Sequence, residues 1–98
     1  MIFELVFTSE AISNLKDIKR EASKEKVWKA VIKSLKLLSE DPRHPGLHTH
    51  MYKTIKGPDG EKVFECYAQN KTPSAYRIFF FYGRDKNQIT VIAITPHP

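Results

Sequence analysis

The chain has 98 residues, with 16 lysine and arginine side chains against 11 aspartate and glutamate side chains, and a formal net charge of +5. This length predicts a single domain over residues 1–98 and excludes two independent cores. The single cysteine excludes a disulfide framework, and no stretch is long enough to span a membrane, so we expect a cytosolic protein without a membrane partner.

The first half of the chain reads as one strand followed by two amphipathic helices. Aromatic and branched residues alternate before Thr8, and apolar residues then recur at helical spacing. Pro42 ends the second helix, because the residue before a proline is pushed away from helical angles. The predicted elements are a strand at residues 2–7, a helix capped by Thr8 or Ser9 that ends before Ser23, and a helix at residues 24–40.

The second half reads as four strands separated by turns. Gly57-Pro58-Asp59-Gly60 is a strong turn signal, and a short polar loop follows residue 69. The predicted strands span residues 50–55, 62–69, 76–82 and 88–95. The order β-α-α-β-β-β-β predicts an α+β fold, in which a helical hairpin packs on one face of a mainly antiparallel, twisted sheet of four to five strands.

An arginine interrupts the apolar strand at residues 76–82. Alternation places Arg77, Phe79 and Phe81 on one face of the sheet, and we expect the helices to cover the opposite face. Burying an unpaired charge is costly. We therefore expect an exposed guanidinium on the open face that meets a phosphate, a carboxylate or the terminal arm of another protein.

The expected register of the two hairpins places further polar groups near this arginine. Folding the last two strands about their turn sets Arg77 opposite roughly Ile94, which brings His97 to the same end of the sheet. Folding the preceding pair sets Arg77 opposite roughly Tyr67 or Ala68. Glu65 shares the face of Tyr67, so a guanidinium, a phenol, an imidazole and a carboxylate are expected to converge.

Such a group of side chains can cleave RNA without a metal ion or another cofactor. Attack by a 2′-hydroxyl needs a base, an acid for the leaving oxygen and a cation for the phosphorane. Glu65 or Tyr67 fits the base, His97 the acid and Arg77 the cation. Phe79 or Phe81 fits a platform on which a base stacks. Two alternatives stay open: Arg77 forms an ion pair with Glu65, or His97 has no role.

Basic side chains also gather in and after the connector that follows the second helix. His44, His48 and His50 could bind zinc, but they lie on irregular chain without a cysteine ligand, so we predict no metal site. We expect Arg43, His50 and Lys53 to contact phosphates instead.

The chain resembles the RelE/ParE superfamily of bacterial type II toxin–antitoxin toxins over nearly its whole length. The stretches that carry the resemblance are residues 7–15, 38–47, 63–67 and 76–80, and the strand that leads to His97. The resemblance implies a partner antitoxin that wraps the toxin. RelE-like members are ribosome-dependent endoribonucleases that act on mRNA, and ParE-like members inhibit DNA gyrase. Arg77 matches the arginine that RelE-like enzymes use on the phosphate.

Some positions depart from this pattern. Tyr67 stands where relatives often have an arginine, and Val63 and Glu65 stand where RelE has lysines. The expected convergence of Arg77, Tyr67, Glu65 and His97 still makes an mRNA endoribonuclease toxin the first hypothesis. The alternative is a non-enzymatic binder, either a DNA gyrase inhibitor or an inactive relative that binds only a partner protein.

Overall fold

The computed structural model describes residues 2–97. Two short 3-10 turns, Ala22–Lys24 and Pro45–Leu47, lie on either side of the second helix. The described residues form two helices, α1 (Ser9–Arg20) and α2 (Glu25–Glu40), and five strands, β1 (Glu4–Phe7), β2 (His50–Lys56), β3 (Lys62–Tyr67), β4 (Tyr76–Tyr82) and β5 (Gln88–Pro96).

The five strands form one mixed sheet in the order β1-β5-β4-β3-β2. β1 runs parallel to β5, and the other neighbours are antiparallel. The predicted α+β architecture and element order are confirmed, and the element bounds differ from the expected ones by a few residues at their ends. Both β1 and β2 are edge strands.

Thr8 fixes the start of α1 and ties it to the sheet. Its Oγ1 accepts a hydrogen bond from the Ala11 backbone N–H at 3.2 Å, which satisfies one of the unpaired donors of the first turn. The same hydroxyl donates to the backbone carbonyl of Ile92 at 3.0 Å. One side chain therefore caps the helix and positions it against β5.

The core lies between the helices and one face of the sheet. Val31, Leu35 and Leu38 of α2 are buried against the inward side chains of the strands, which include Ile78 and Phe80 of β4. This stripe repeats every three to four residues, as an amphipathic helix requires. The expected arrangement of helices over the even-numbered residues of β4 is confirmed, so its odd-numbered residues face away from the helices.

Cys66 lies in this core and is fully buried. Burial raises the pKa of its thiol from 9.0 to about 12, with a smaller contribution from the charge of Glu65. The thiol therefore packs as a small apolar side chain and is a poor nucleophile.

No helix among residues 2–97 is both long enough and apolar enough to cross a membrane.

Candidate active site

Arg77 lies in the middle of the sheet, directly between two neighbours. It pairs with Tyr67 of β3 on one side and with Thr95 of β5 on the other. The pairing with Tyr67 was predicted. The expected pairing with Ile94 was wrong by one position, because β5 carries a one-residue bulge: Phe80 pairs with Val91, whereas Phe79 pairs with Ala93.

The Arg77 side chain is on the open face but is only 7% exposed. The expectation of a solvent-exposed guanidinium is therefore wrong. Its Cζ lies 3.7 Å from the centroid of the Tyr67 ring, which covers it in a cation–π contact. Its Nη1 donates to the backbone carbonyl of Gln69 at 2.8 Å. The neighbouring Nε is buried and has no hydrogen-bond partner within the described part of the chain.

Glu65 does not neutralise this arginine. Its carboxylate is 5% exposed, and its Oε1 lies 2.7 Å from Nε2 of His50. The other ring nitrogen of His50, Nδ1, donates to the backbone carbonyl of His48 at 2.8 Å. Oxygen atoms thus face both ring nitrogens of His50. The ion pair considered for Arg77 and Glu65 is made by His50 instead, and Arg77 has no carboxylate within 4.0 Å among residues 2–97.

Tyr67 is the centre of a small aromatic and cationic cluster. The ring of His48 lies 5.0 Å from it and the ring of His50 lies 6.0 Å from it, both measured between centroids. His48 reaches this position because its backbone is left-handed, with φ of 50°. The part of His48 in the cluster was not predicted; its only signal in the sequence was its spacing from His44 and His50.

The aromatic rings predicted to stack a base are covered. Phe79 and Phe81 are both buried, and the ring of Tyr52 lies edge-on to Phe79 at 5.0 Å between centroids. Neither Phe79 nor Phe81 therefore presents an open ring face to a base in this structure. Tyr52, which the sequence did not single out, is the more accessible ring of this pair.

The predicted basic rim divides between two cavities. Arg43 and His50 line one cavity near the end of α2. Lys53 lines another on the edge strand β2, beside Lys56 and Lys62. No cluster of His, Cys, Asp and Glu within residues 2–97 is arranged to hold a metal ion.

His97 continues the β4–β5 ladder beyond the paired residues Tyr76 and Pro96. Its backbone N–H donates to the carbonyl of Ala75 at 2.8 Å. Strand alternation then places His97 on the same face as Thr95, the residue opposite Arg77. The structure thus places Tyr67 against Arg77, with the His50–Glu65 pair beside them, and the backbone register puts His97 on the same face of the sheet.

No protein-family model and no curated protein sequence matches the chain. Solved structures do, over nearly the full length of both chains. The YoeB/ParE toxin from Agrobacterium tumefaciens has a TM-score of 0.70 and 12% identity, with 98% of this chain and 100% of that chain covered.

Two further structures have the same fold. The YoeB dimer from Staphylococcus aureus has a TM-score of 0.70 and 14% identity, with 100% of each chain covered. The archaeal RelE–RelB complex from Pyrococcus horikoshii has a TM-score of 0.65 and 9% identity, with 98% of this chain and 96% of that chain covered. The chain has the RelE/ParE toxin fold, and the resemblance predicted from the sequence is confirmed at that level.

Proposed function

We propose that this protein is the toxin of a type II toxin–antitoxin pair and cleaves mRNA on the ribosome, in the cytoplasm, without a metal ion. The observation that carries the proposal is the Arg77 guanidinium. It is desolvated, lacks a carboxylate partner among residues 2–97, and keeps a buried Nε without a hydrogen bond. A buried cation left in this state is best compensated by an anion, and the RelE/ParE fold supports a phosphate as that anion.

In the proposed reaction, the 2′-oxygen of a nucleotide attacks the adjacent phosphorus while a base removes the proton of the 2′-hydroxyl. The bond from phosphorus to the 5′-oxygen of the next nucleotide breaks, and an acid protonates that oxygen. The products are a 2′,3′-cyclic phosphate and a 5′-hydroxyl. Arg77 stabilises the negative charge that grows on the phosphorane, and its guanidinium has the most effect in a desolvated site. His97 is the proposed acid.

Tyr67 suits the base better than Glu65 does. The Glu65 carboxylate is nearly sealed and already holds His50, so its oxygen is not available to a 2′-hydroxyl. The Tyr67 ring lies between Arg77 and the two histidines on the same face. In this proposal Glu65 orients His50, and His50 in turn supports the edge of the Tyr67 ring.

A cognate antitoxin is the proposed protein partner. One structure with the same fold is a RelE–RelB complex, and the net charge of +5 favours a partner with acidic segments.

The proposal is tested by adding the purified protein to a translation extract and mapping the 5′ ends of the message by primer extension. The wild type should cut message that is being translated and leave free message intact. Arg77→Gln should abolish the cuts, whereas Arg20→Gln, which removes the same charge from the exposed end of α1, should cut as the wild type does. Circular dichroism of each variant checks that it is folded. Intact message with folded wild type would refute the proposal.

A non-enzymatic inhibitor of DNA gyrase is the second candidate. The observation in its favour is that Arg77 is only 7% exposed, so a phosphate reaches it only if Tyr67 moves aside. A supercoiling assay separates the two: loss of gyrase supercoiling with intact message would support inhibition. If neither assay responds, binding of a partner protein is the function left.

A further inference from the structure

The cavity lined by Arg43 and His50 lies at the edge of the sheet, and Phe64 and Tyr82 line it from the face opposite Arg77. Residues of the connector after α2 and of strands β2, β3 and β4 line it, and its volume is about 330 Å³. This is at the lower end of the range of about 300–1,000 Å³ that small-molecule sites span. The side chains that matter to the argument are Arg43, His44, His48, His50, Phe64 and Tyr82.

The connector side of the cavity is cationic. Arg43 is exposed, and its guanidinium forms no ion pair within residues 2–97. Nδ1 of His44 accepts the Gly46 backbone N–H at 3.0 Å, so in this arrangement Nδ1 carries no proton. The proton is then on Nε2, which leaves a fixed N–H donor on this wall. No carboxylate side chain lines the cavity.

Two acidic residues that precede or contact lining residues each accept a hydrogen bond. Asp41 accepts the backbone N–H of Arg43 at 3.0 Å, and Glu65 holds His50 from the far side. The lining of the cavity therefore combines the charge of Arg43 with the N–H donor of His44 and includes no carboxylate, a combination that favours an anion.

The sheet side of the cavity is aromatic. The rings of Phe64 and Tyr82 meet edge to face, with centroids 5.5 Å apart. Tyr82 is 38% exposed, an unusual exposure for a large ring in a strand whose other side chains are all buried. An exposed ring next to a cationic wall is the combination on which proteins stack a base and hold its phosphate.

We infer that this cavity binds one nucleotide, with the base on the rings of Tyr82 and Phe64 and the phosphate on Arg43 and His44. The same chemistry could come from a free nucleotide or from a nucleotide of an RNA strand. The RNA strand is favoured because His50 lines the cavity and also contacts Tyr67, so the cavity adjoins the Arg77 cluster. That choice of source rests on the proposed function, whereas nucleotide binding itself does not.

The test measures binding without cleavage. Wild-type protein is titrated with the four nucleoside monophosphates, with inorganic phosphate and with a five-nucleotide RNA carrying 2′-O-methyl groups, which cannot be cut by attack of a 2′-hydroxyl. Tyr82→Leu removes the ring, and Tyr82→Phe keeps it as a matched control. Arg43→Gln removes the cation, and Arg20→Gln removes the same charge far from the cavity. Binding is followed by calorimetry.

Tyr82→Leu should weaken binding of the monophosphates and the RNA by about fivefold or more, the usual effect of losing one base–aromatic stack. It should leave the weak binding of inorganic phosphate unchanged. Arg43→Gln should weaken all three, and both control variants should bind as the wild type does.

Tighter binding of the RNA than of the monophosphates would assign the cavity to a nucleotide of a strand, and equal binding would assign it to a free nucleotide. The inference is overturned if no nucleotide binds saturably, or if Tyr82→Leu and Arg43→Gln bind nucleotides as the wild type does. A protein that cuts no message can still bind a nucleotide in this cavity. The binding experiment can therefore refute the cavity without refuting cleavage, and the cleavage assay can refute cleavage without refuting the cavity.

Discussion

Removing His50 should expose the cost of the buried Glu65 carboxylate. In the native protein this carboxylate is 5% exposed and lies 2.7 Å from Nε2 of His50. His50→Ala leaves the carboxylate buried without its partner. Breaking a fully buried pair costs about 3–5 kcal/mol, and a hydrogen bond to a charged group is worth about 1.5–3 kcal/mol. Because the His50 side chain is 48% exposed, water can partly replace it, and we expect a loss of about 2 kcal/mol.

A second substitution, Glu65→Gln, should change the free energy of unfolding in opposite directions in the wild type and in His50→Ala. Glu65→Gln in the wild type weakens the pair and should destabilise the protein by about 1 kcal/mol. In the His50→Ala background the same substitution removes an uncompensated buried charge, so it should stabilise the protein by about the same amount. The two substitutions are therefore coupled, and the coupling reports the pair itself.

Urea unfolding at neutral pH measures all four proteins of this cycle. In a thermal unfolding experiment, the loss of about 2 kcal/mol expected for His50→Ala should lower the melting temperature by about 10 °C in a domain of this size. The control is Lys29→Ala, which breaks an exposed helix pair with Glu25 at 3.2 Å and should cost less than about 0.5 kcal/mol. The reasoning is refuted if Glu65→Gln has the same sign and size in both backgrounds.

Three further predictions concern the core and the first helix. Burial raises the pKa of the Cys66 thiol from 9.0 to about 12, so the native thiol should resist a disulfide reagent at pH 8 and react only when the protein unfolds. Rapid reaction of the folded protein would contradict this burial. The pKa of Cys66 is higher in the folded state than in the unfolded state, so its contribution to the free energy of unfolding is complete below pH 9.0 and is lost as the pH rises toward 12. Urea unfolding of Cys66→Ala should therefore show a smaller fall in stability over this pH range. Thr8→Ala should cost about 1–2 kcal/mol in urea unfolding, whereas Thr8→Ser, which keeps the hydroxyl, should cost less than half as much; equal losses would show that the hydroxyl does not cap α1.

The elements of the fold could be predicted because each leaves a local pattern in the sequence. Alternation marked the strands, the spacing of apolar residues marked the helices, and Pro42 and the turn at residues 57–60 marked where they stop. The order of elements then restricted the architecture to a helical layer on a sheet.

The β5 bulge could not be predicted, because side chains distant in sequence hold it. Oδ1 of Asn14 accepts the Ile94 backbone N–H at 2.9 Å, and the Thr8 hydroxyl donates to the carbonyl of Ile92. These contacts lie at the register change between β4 and β5, beside α1. The sequence of β5 contains no glycine that would indicate a bulge at this point. That one extra residue moved the partner of Arg77 from Ile94 to Thr95.

The His50–Glu65 pair was missed for a similar reason. Met51 pairs with Phe64 and Lys56 pairs with Lys62, so the four residues of β2 between them lie opposite the single residue Val63 of β3. A regular hairpin folded from the Lys56–Lys62 pair would set Glu65 opposite Lys53, and the irregular β2 sets it opposite His50 instead. The polar groups of the face were found, but the partners within it depend on this irregularity.

The 3′ end of the cut message tests the proposed chemistry most directly. Wild-type protein is added to translating ribosomes until message is cut, and the RNA ends are identified by mass spectrometry, with Arg77→Gln in parallel. Attack by the 2′-hydroxyl predicts a 2′,3′-cyclic phosphate from the wild type and no such end from the variant. A 3′-hydroxyl end, or equal cutting by the folded variant, would contradict the role proposed for Arg77.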